Sequence, residues 1–134
     1  MANLEWLQPA GWPRPRGYSN GVVVKGGRLV VLAGQVGWDE KEKLVPGGLV
    51  PQFRQALKNV LTLVALAGGR PEHLVQLRIY LTDKQAYLSS HKELGDVYRE
   101  LMGKHFACMS GLVIAGLVEE GAMVELEGLA VVPE

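Results

Sequence analysis

Arg28-Leu29-Val30-Val31-Leu32-Ala33 sets five apolar residues in succession behind a single charge. A strand sends alternate side chains to opposite faces, so a run of this kind needs cover on both. Just upstream, Val22-Val23-Val24-Lys25 and then Gly26-Gly27 complete a pattern of strand, two-residue turn and strand. Glycines tolerate the positive φ of such turns, and the pattern predicts a hairpin. Downstream, Leu74-Val75-Gln76-Leu77-Arg78-Ile79-Tyr80-Leu81, Gly111-Leu112-Val113-Ile114-Ala115-Gly116-Leu117 and residues 123 to 132 are rich in strand formers. Phe53, Ala56, Leu57, Val60, Leu61, Val64 and Ala67 recur at helical spacing before Gly68-Gly69, one apolar stripe of a helix and its stop. A second helix is expected over residues 87 to 102, with Tyr87, Leu88, His91, Leu94, Tyr98, Leu101 and Met102 facing inward. Gly95 in its middle weakens it by about 1 kcal/mol relative to Ala.

The resulting order, β-β-α-β-α-β-β, describes one α+β domain over residues 1–134, with a mixed sheet of about five strands and two helices on one face. Val30-Val31-Leu32 and Leu112-Val113-Ile114 are apolar on both of their faces, so the second face needs cover that the chain does not supply. Self-association is the economical answer. Residues 1–20, with Pro9, Gly11, Pro13, Pro15 and Gly17, read as an extended arm that offers few amides to a ladder.

Fourteen basic residues balance fourteen acidic ones, with no basic run, which argues against a nucleic-acid partner. No apolar stretch reaches the roughly 20 residues that cross a bilayer, and Met1-Ala2-Asn3-Leu4-Glu5-Trp6 does not read as a signal peptide, so a cytoplasmic protein without a membrane partner is expected. Cys108 is the sole cysteine, which excludes an internal disulfide. His73, His91 and His105 have no metal-ligand spacing, and no glycine pair forms a phosphate-binding motif, so neither metal nor cofactor is expected.

Glu125 is the strongest candidate for chemistry. Its strand alternates Val124, Leu126, Gly128, Ala130 and Val132 with Glu125, Glu127, Leu129 and Val131. A carboxyl among apolar neighbours has its ionised form disfavoured and can exchange protons near neutral pH, as general acid–base catalysis requires. The alternative is two carboxylates on the wet side of an edge strand. Cys108 near His105 invites a nucleophile reading, but no third partner is recognisable, and a small thiol packed in a wall is the simpler one.

Gly17-Tyr18-Ser19-Asn20-Gly21, Ala33-Gly34-Gln35, Gln52, Gln55-x-x-x-Asn59, Tyr80-Leu81-Thr82-Asp83, Phe106-Ala107-Cys108-Met109-Ser110 and Val124-Glu125-Leu126-Glu127 occur in the order found in reactive-intermediate deaminases. From about Gly17 to Val132 the chain resembles this RidA (YjgF-like) family. The resemblance implies a chorismate-mutase-like homotrimer with its sheets around a central barrel, and a small-molecule ligand in clefts between subunits. It also implies cofactor-free hydrolysis of enamines or imines to a carbonyl compound and ammonia. Glu125 matches the family's active-site glutamate, and Tyr18, Ala33, Gln35, Phe106, Cys108 and Met109 match cleft positions. Three matches depart from the pattern. Met109 stands where the family carries an arginine for a substrate carboxylate, Ala33 where a serine is common, and Gly95 where an asparagine is common. An arginine–carboxylate pair is worth several kcal/mol, so an altered substrate range follows unless Arg14, Arg16, Lys104 or His105 replaces the cation. A trimeric module that binds a metabolite or partner without turnover is the competing expectation. The ribonuclease and translation-inhibitor activities attached to the family are disfavoured by the neutral charge.

Overall fold

The computed structural model describes residues 3–134. Six strands, Asn3–Leu7 (β1), Gly21–Lys25 (β2), Arg28–Val36 (β3), Leu74–Leu81 (β4), Cys108–Val113 (β5) and Val124–Val132 (β6), form two sheets. Three α-helices, Leu49–Leu66 (α1), Lys84–Ser89 (α2) and His91–Met102 (α3), complete the α+β fold. The larger sheet is mixed, in the order β3-β6-β4-β5: β6 lies antiparallel to both neighbours, and β4 and β5 run parallel across the α2–α3 connection. The helices thus supply the long crossover that parallel neighbours need.

The expected hairpin does not form. Gly26 (φ 76°) and Gly27 (φ 83°) do turn the chain, but from one sheet into the other: β2 pairs with β1, and β3 with β6. The expected arm is corrected with it. Asn3–Leu7 ends before Pro9, so its amides are free to build the ladder with β2; the proline-rich stretch begins only afterwards. The second predicted helix is also two. Ser90 (φ −105°, ψ 11°) closes α2 and opens α3, which leaves Leu88 and His91 exposed rather than inward. Serine competes for nearby backbone groups and favours such breaks. The strand expected from Gly111 begins three residues earlier, so Cys108, Met109 and Ser110 lie within β5 and not before it.

Helix α1 packs its apolar stripe on β3 and β6 and touches α3. Leu57, Val60, Val64, Leu74, Leu77, Val124 and Leu126 are fully buried between these layers. Its end is a Schellman motif: Gly69 N–H donates to Val64 O (2.9 Å) and Gly68 N–H to Ala65 O (2.9 Å), with Gly68 at φ 86°. Among the described residues, no helix covers the opposite face of the sheet. On it Leu29 is 65% and Val31 73% exposed, while Val30 and Leu32, which alternate with them, pack into the core on the helix side.

Candidate functional site

Strand β6 is interior, flanked by β3 and β4, so the edge-strand alternative for Glu125 does not hold. Its alternation is the expected one: Val124, Leu126, Gly128 and Ala130 are buried toward the helices, and Glu125 and Glu127 are half-buried on the uncovered face. Between Leu32 and Gln35 the β3–β6 register slips, because three steps on β3 answer two on β6. This bulge holds Ala33 and Gly34. A Cβ at Gly34 would stand 2.5 Å from Glu125 Oε2, so only glycine lets that carboxylate lie across the β3 backbone.

Polar residues on α1 hold the strand ends around Glu125. Asn59 Nδ2 donates to Val36 O (3.2 Å) and Trp38 O (2.9 Å), and its Oδ1 accepts from Gln55 Nε2 (2.9 Å). Gln52, the one buried polar residue among those described, donates from Nε2 to Gly121 O (3.1 Å) and accepts from Met123 N–H (2.8 Å). Val36 pairs with Glu125 and Met123 precedes β6, so these amides fix both strands that frame the carboxylate. Beside it, the Tyr80 hydroxyl donates to Glu127 Oε1, and Arg78 stands 3.6 Å from the same oxygen. The hydrogen bond to Glu127, aided by burial, holds the Tyr80 phenol above its usual range.

A second cluster forms at the β5 end of the sheet. Ser19 N–H donates to Ala107 O (3.0 Å) and Ser19 Oγ to Phe106 O (2.6 Å), which ties the Gly17-Tyr18-Ser19 segment to the start of β5. Next to this junction opens a cavity of about 730 Å³. Its wall is apolar, with Phe53, Ile79, Leu94, Tyr98, Phe106 and Met109. Tyr98 and Phe106 stack with centroids 5.6 Å apart and planes 7° from parallel. Burial pushes the Tyr98 phenol up to about 12.

Of the expected site residues, Tyr18, Phe106 and Met109 meet at this cavity, whereas Ala33, Gln35 and Glu125 gather at the β3–β6 bulge. Met109 pairs with Leu77 and so shares the helix-facing side; Cys108, paired with Gln76, shares the side of Glu125. Gln35 donates to Ala33 O (3.2 Å), bracing the bulge. Burial holds the Cys108 thiol above its ordinary value, and His105 is engaged elsewhere, at 2.7 Å from Leu74 O and against the Trp6 ring. Among the four cations considered as replacements, Arg16 lines the cavity and Arg14, Lys104 and His105 do not. Lys92 and Arg99 also line it and were not anticipated. Their i,i+7 spacing on a helix predicted to start earlier is the signal that would have exposed them. No cluster of metal-ligating side chains occurs among the described residues, and no helix there is long and apolar enough to cross a membrane.

The profile of the Endoribonuclease L-PSP family matches residues 13–132. The chain belongs to this YjgF/RidA family. Among YjgF/RidA relatives, a 2-iminobutanoate/2-iminopropanoate deaminase of Capra hircus is 31% identical over 115 residues, 85% of this chain and 79% of the relative. A RutC family protein of Pyrococcus horikoshii is 27% identical, over 88% of this chain and 90% of its own. The crystal structure of a Rid family protein of unknown function from Yersinia pestis superposes with a TM-score of 0.84 at 28% identity, covering 97% of this chain and 99% of that one. RidA from a Psychrobacter species gives a TM-score of 0.69 at 28% identity, over 96% and 99%.

Proposed function

We propose that this YjgF/RidA protein hydrolyses reactive imines or enamines to a carbonyl compound and ammonia without a cofactor, with Glu125 as its acid and base. The observation that carries the reading is the carboxylate of Glu125 laid over Gly34, in a bulge that α1 braces through Asn59. Relatives named imine deaminases support it. In the reaction, water bonds to the carbon of the protonated imine as one of its protons passes to Glu125 and the C=N π pair moves to nitrogen, leaving a neutral carbinolamine. Glu125 then returns its proton to nitrogen, the C–N bond breaks, and the hydroxyl loses its proton to leave carbonyl and ammonia. Backbone groups around Cys108 hold the nitrogen or water, and Tyr18, Phe106 and Met109 enclose the remainder.

The two halves of the site lie on opposite faces of one sheet, and Leu29 and Val31 stay uncovered in a single copy. A homotrimer answers both facts, because the open face of one copy would meet the neighbouring copy and set one carboxylate opposite the next apolar cavity. Generating an imine in situ with an amino-acid oxidase tests the activity. Wild type is expected to accelerate ammonia release and Glu125→Gln to abolish the acceleration; equal silence of both would overturn the hydrolase reading.

Met109 in place of an arginine favours a second reading, a trimeric module that binds a small metabolite or a partner without turnover. Ligand-induced thermal stabilisation together with that silence would establish it. Intact RNA after incubation with the protein in EDTA would dismiss a nuclease.

A further inference from the structure

The cavity beside β5 is polarised in a way that specifies its ligand. Its wall is formed by side chains of the core, including the Tyr98–Phe106 stack and Met109. Arg16, Lys92 and Arg99 stand around it, all three exposed, and no acidic residue is among the described residues that line it. Lys92 and Arg99 share one counter-ion, Asp96, at 3.1 and 2.6 Å. Arg16 has no ion pair or hydrogen bond among the described residues, and so is the cation whose donors are free for a ligand. Gly95 contributes to the same wall, and the side chain it lacks leaves the space beside Arg99 Nη1, 3.4 Å from where a Cβ would stand, to the cavity.

We propose that this cavity binds carboxylates that bear a bulky apolar group, the carboxylate at Arg16 on the mouth and the apolar group against Met109, Tyr98 and Phe106. The inference rests on the imine-hydrolase reading for its chemical form, the 2-imino acid of an aromatic or branched side chain and its 2-oxo acid product. The binding claim itself stands on the cavity. A cation on the mouth reaches an acid only when the apolar group is long enough to fill the wall behind it. A small 2-oxo acid would leave that wall wet, and a neutral compound of the same size would leave Arg16 unused.

Isothermal titration of the wild-type protein with phenylpyruvate, 2-oxobutanoate and phenylacetone, repeated with Arg16→Met and Arg16→Lys, tests it. Phenylpyruvate is expected to bind at least tenfold more tightly than either comparator, to lose tenfold or more with Arg16→Met, and to recover in part with Arg16→Lys. Equal affinity for 2-oxobutanoate, or indifference to Arg16→Met, overturns the proposal. Parallel assays of the imines of phenylalanine and alanine separate it from the reading on which it rests. Hydrolysis with no preference for the aromatic imine and no effect of Arg16→Met sinks the specificity and keeps the enzyme. Arg16-dependent binding of phenylpyruvate with no turnover sinks the enzyme and keeps the site.

Discussion

The carboxylate of Glu125 occupies the space that a side chain at Gly34 would need: the missing Cβ would lie 2.5 Å from Oε2 and 2.7 Å from Cδ. Gly34→Ala must therefore swing the acid away from the β3 backbone, while Gly34 itself keeps an ordinary negative φ that alanine can adopt. Imine hydrolysis is expected to fall tenfold or more with little change in thermal midpoint, since a displacement of about 1 Å at a reacting group costs on the order of a hundredfold. Steady-state ammonia release alongside a melting curve checks it; an unaltered rate would remove Gly34 from the account.

Gln52 bridges α1 to the turn before β6 through both ends of its amide. Gln52→Leu keeps the bulk and strands the Gly121 carbonyl and the Met123 amide. A loss of about 2 to 4 kcal/mol is expected. In a chain of this size that lowers the midpoint by roughly 10 °C, measurable by calorimetry.

Tyr98 makes stability sensitive to alkali. Burial raises its folded pKa to about 12, above the ordinary value of 10.0, so the folded form holds a proton that the unfolded form has released. Its contribution is complete below pH 10 and is lost as pH climbs toward 12, a fall of about 2 to 3 kcal/mol. Denaturant midpoints taken across that window should slope less steeply for Tyr98→Phe than for wild type; identical slopes would count against the burial argument.

Val31 is 73% exposed on a face shared with Leu29, in a stretch with no polar residue. If copies of the chain cover this face, Val31→Lys buries a charge without a partner and is expected to shift a trimer to monomer in sedimentation at micromolar concentration. A wild-type protein that already sediments as a monomer would refute the assembly.

The β6 alternation, the α1 stripe and the Gly68-Gly69 stop were legible in the sequence because each follows from a local period or a single backbone rule. The partner of β2 was not. A glycine pair says that the chain turns, but which strand lies alongside depends on the ladder that Asn3–Leu7 offers from outside the local window. The break at Ser90 was hidden because Tyr87, Leu88 and His91 continue the helical spacing of Leu94 and Tyr98 across it. At the site, the family motifs marked Glu125 and Met109 individually, yet nothing in their spacing told that β5 turns Met109 to the helix side and Cys108 to the other. Arg16, set between Pro15 and Gly17, owes its place to the Ser19 bonds with Phe106 and Ala107.

The raised pKa of the Cys108 thiol has a consequence for durability. At neutral pH the sulfur stays largely as SH, and peroxides or electrophilic metabolites attack the anion far faster than the neutral form. The protein thus carries its single sulfhydryl in a muted state, and should resist inactivation by alkylating agents at concentrations that silence exposed thiols.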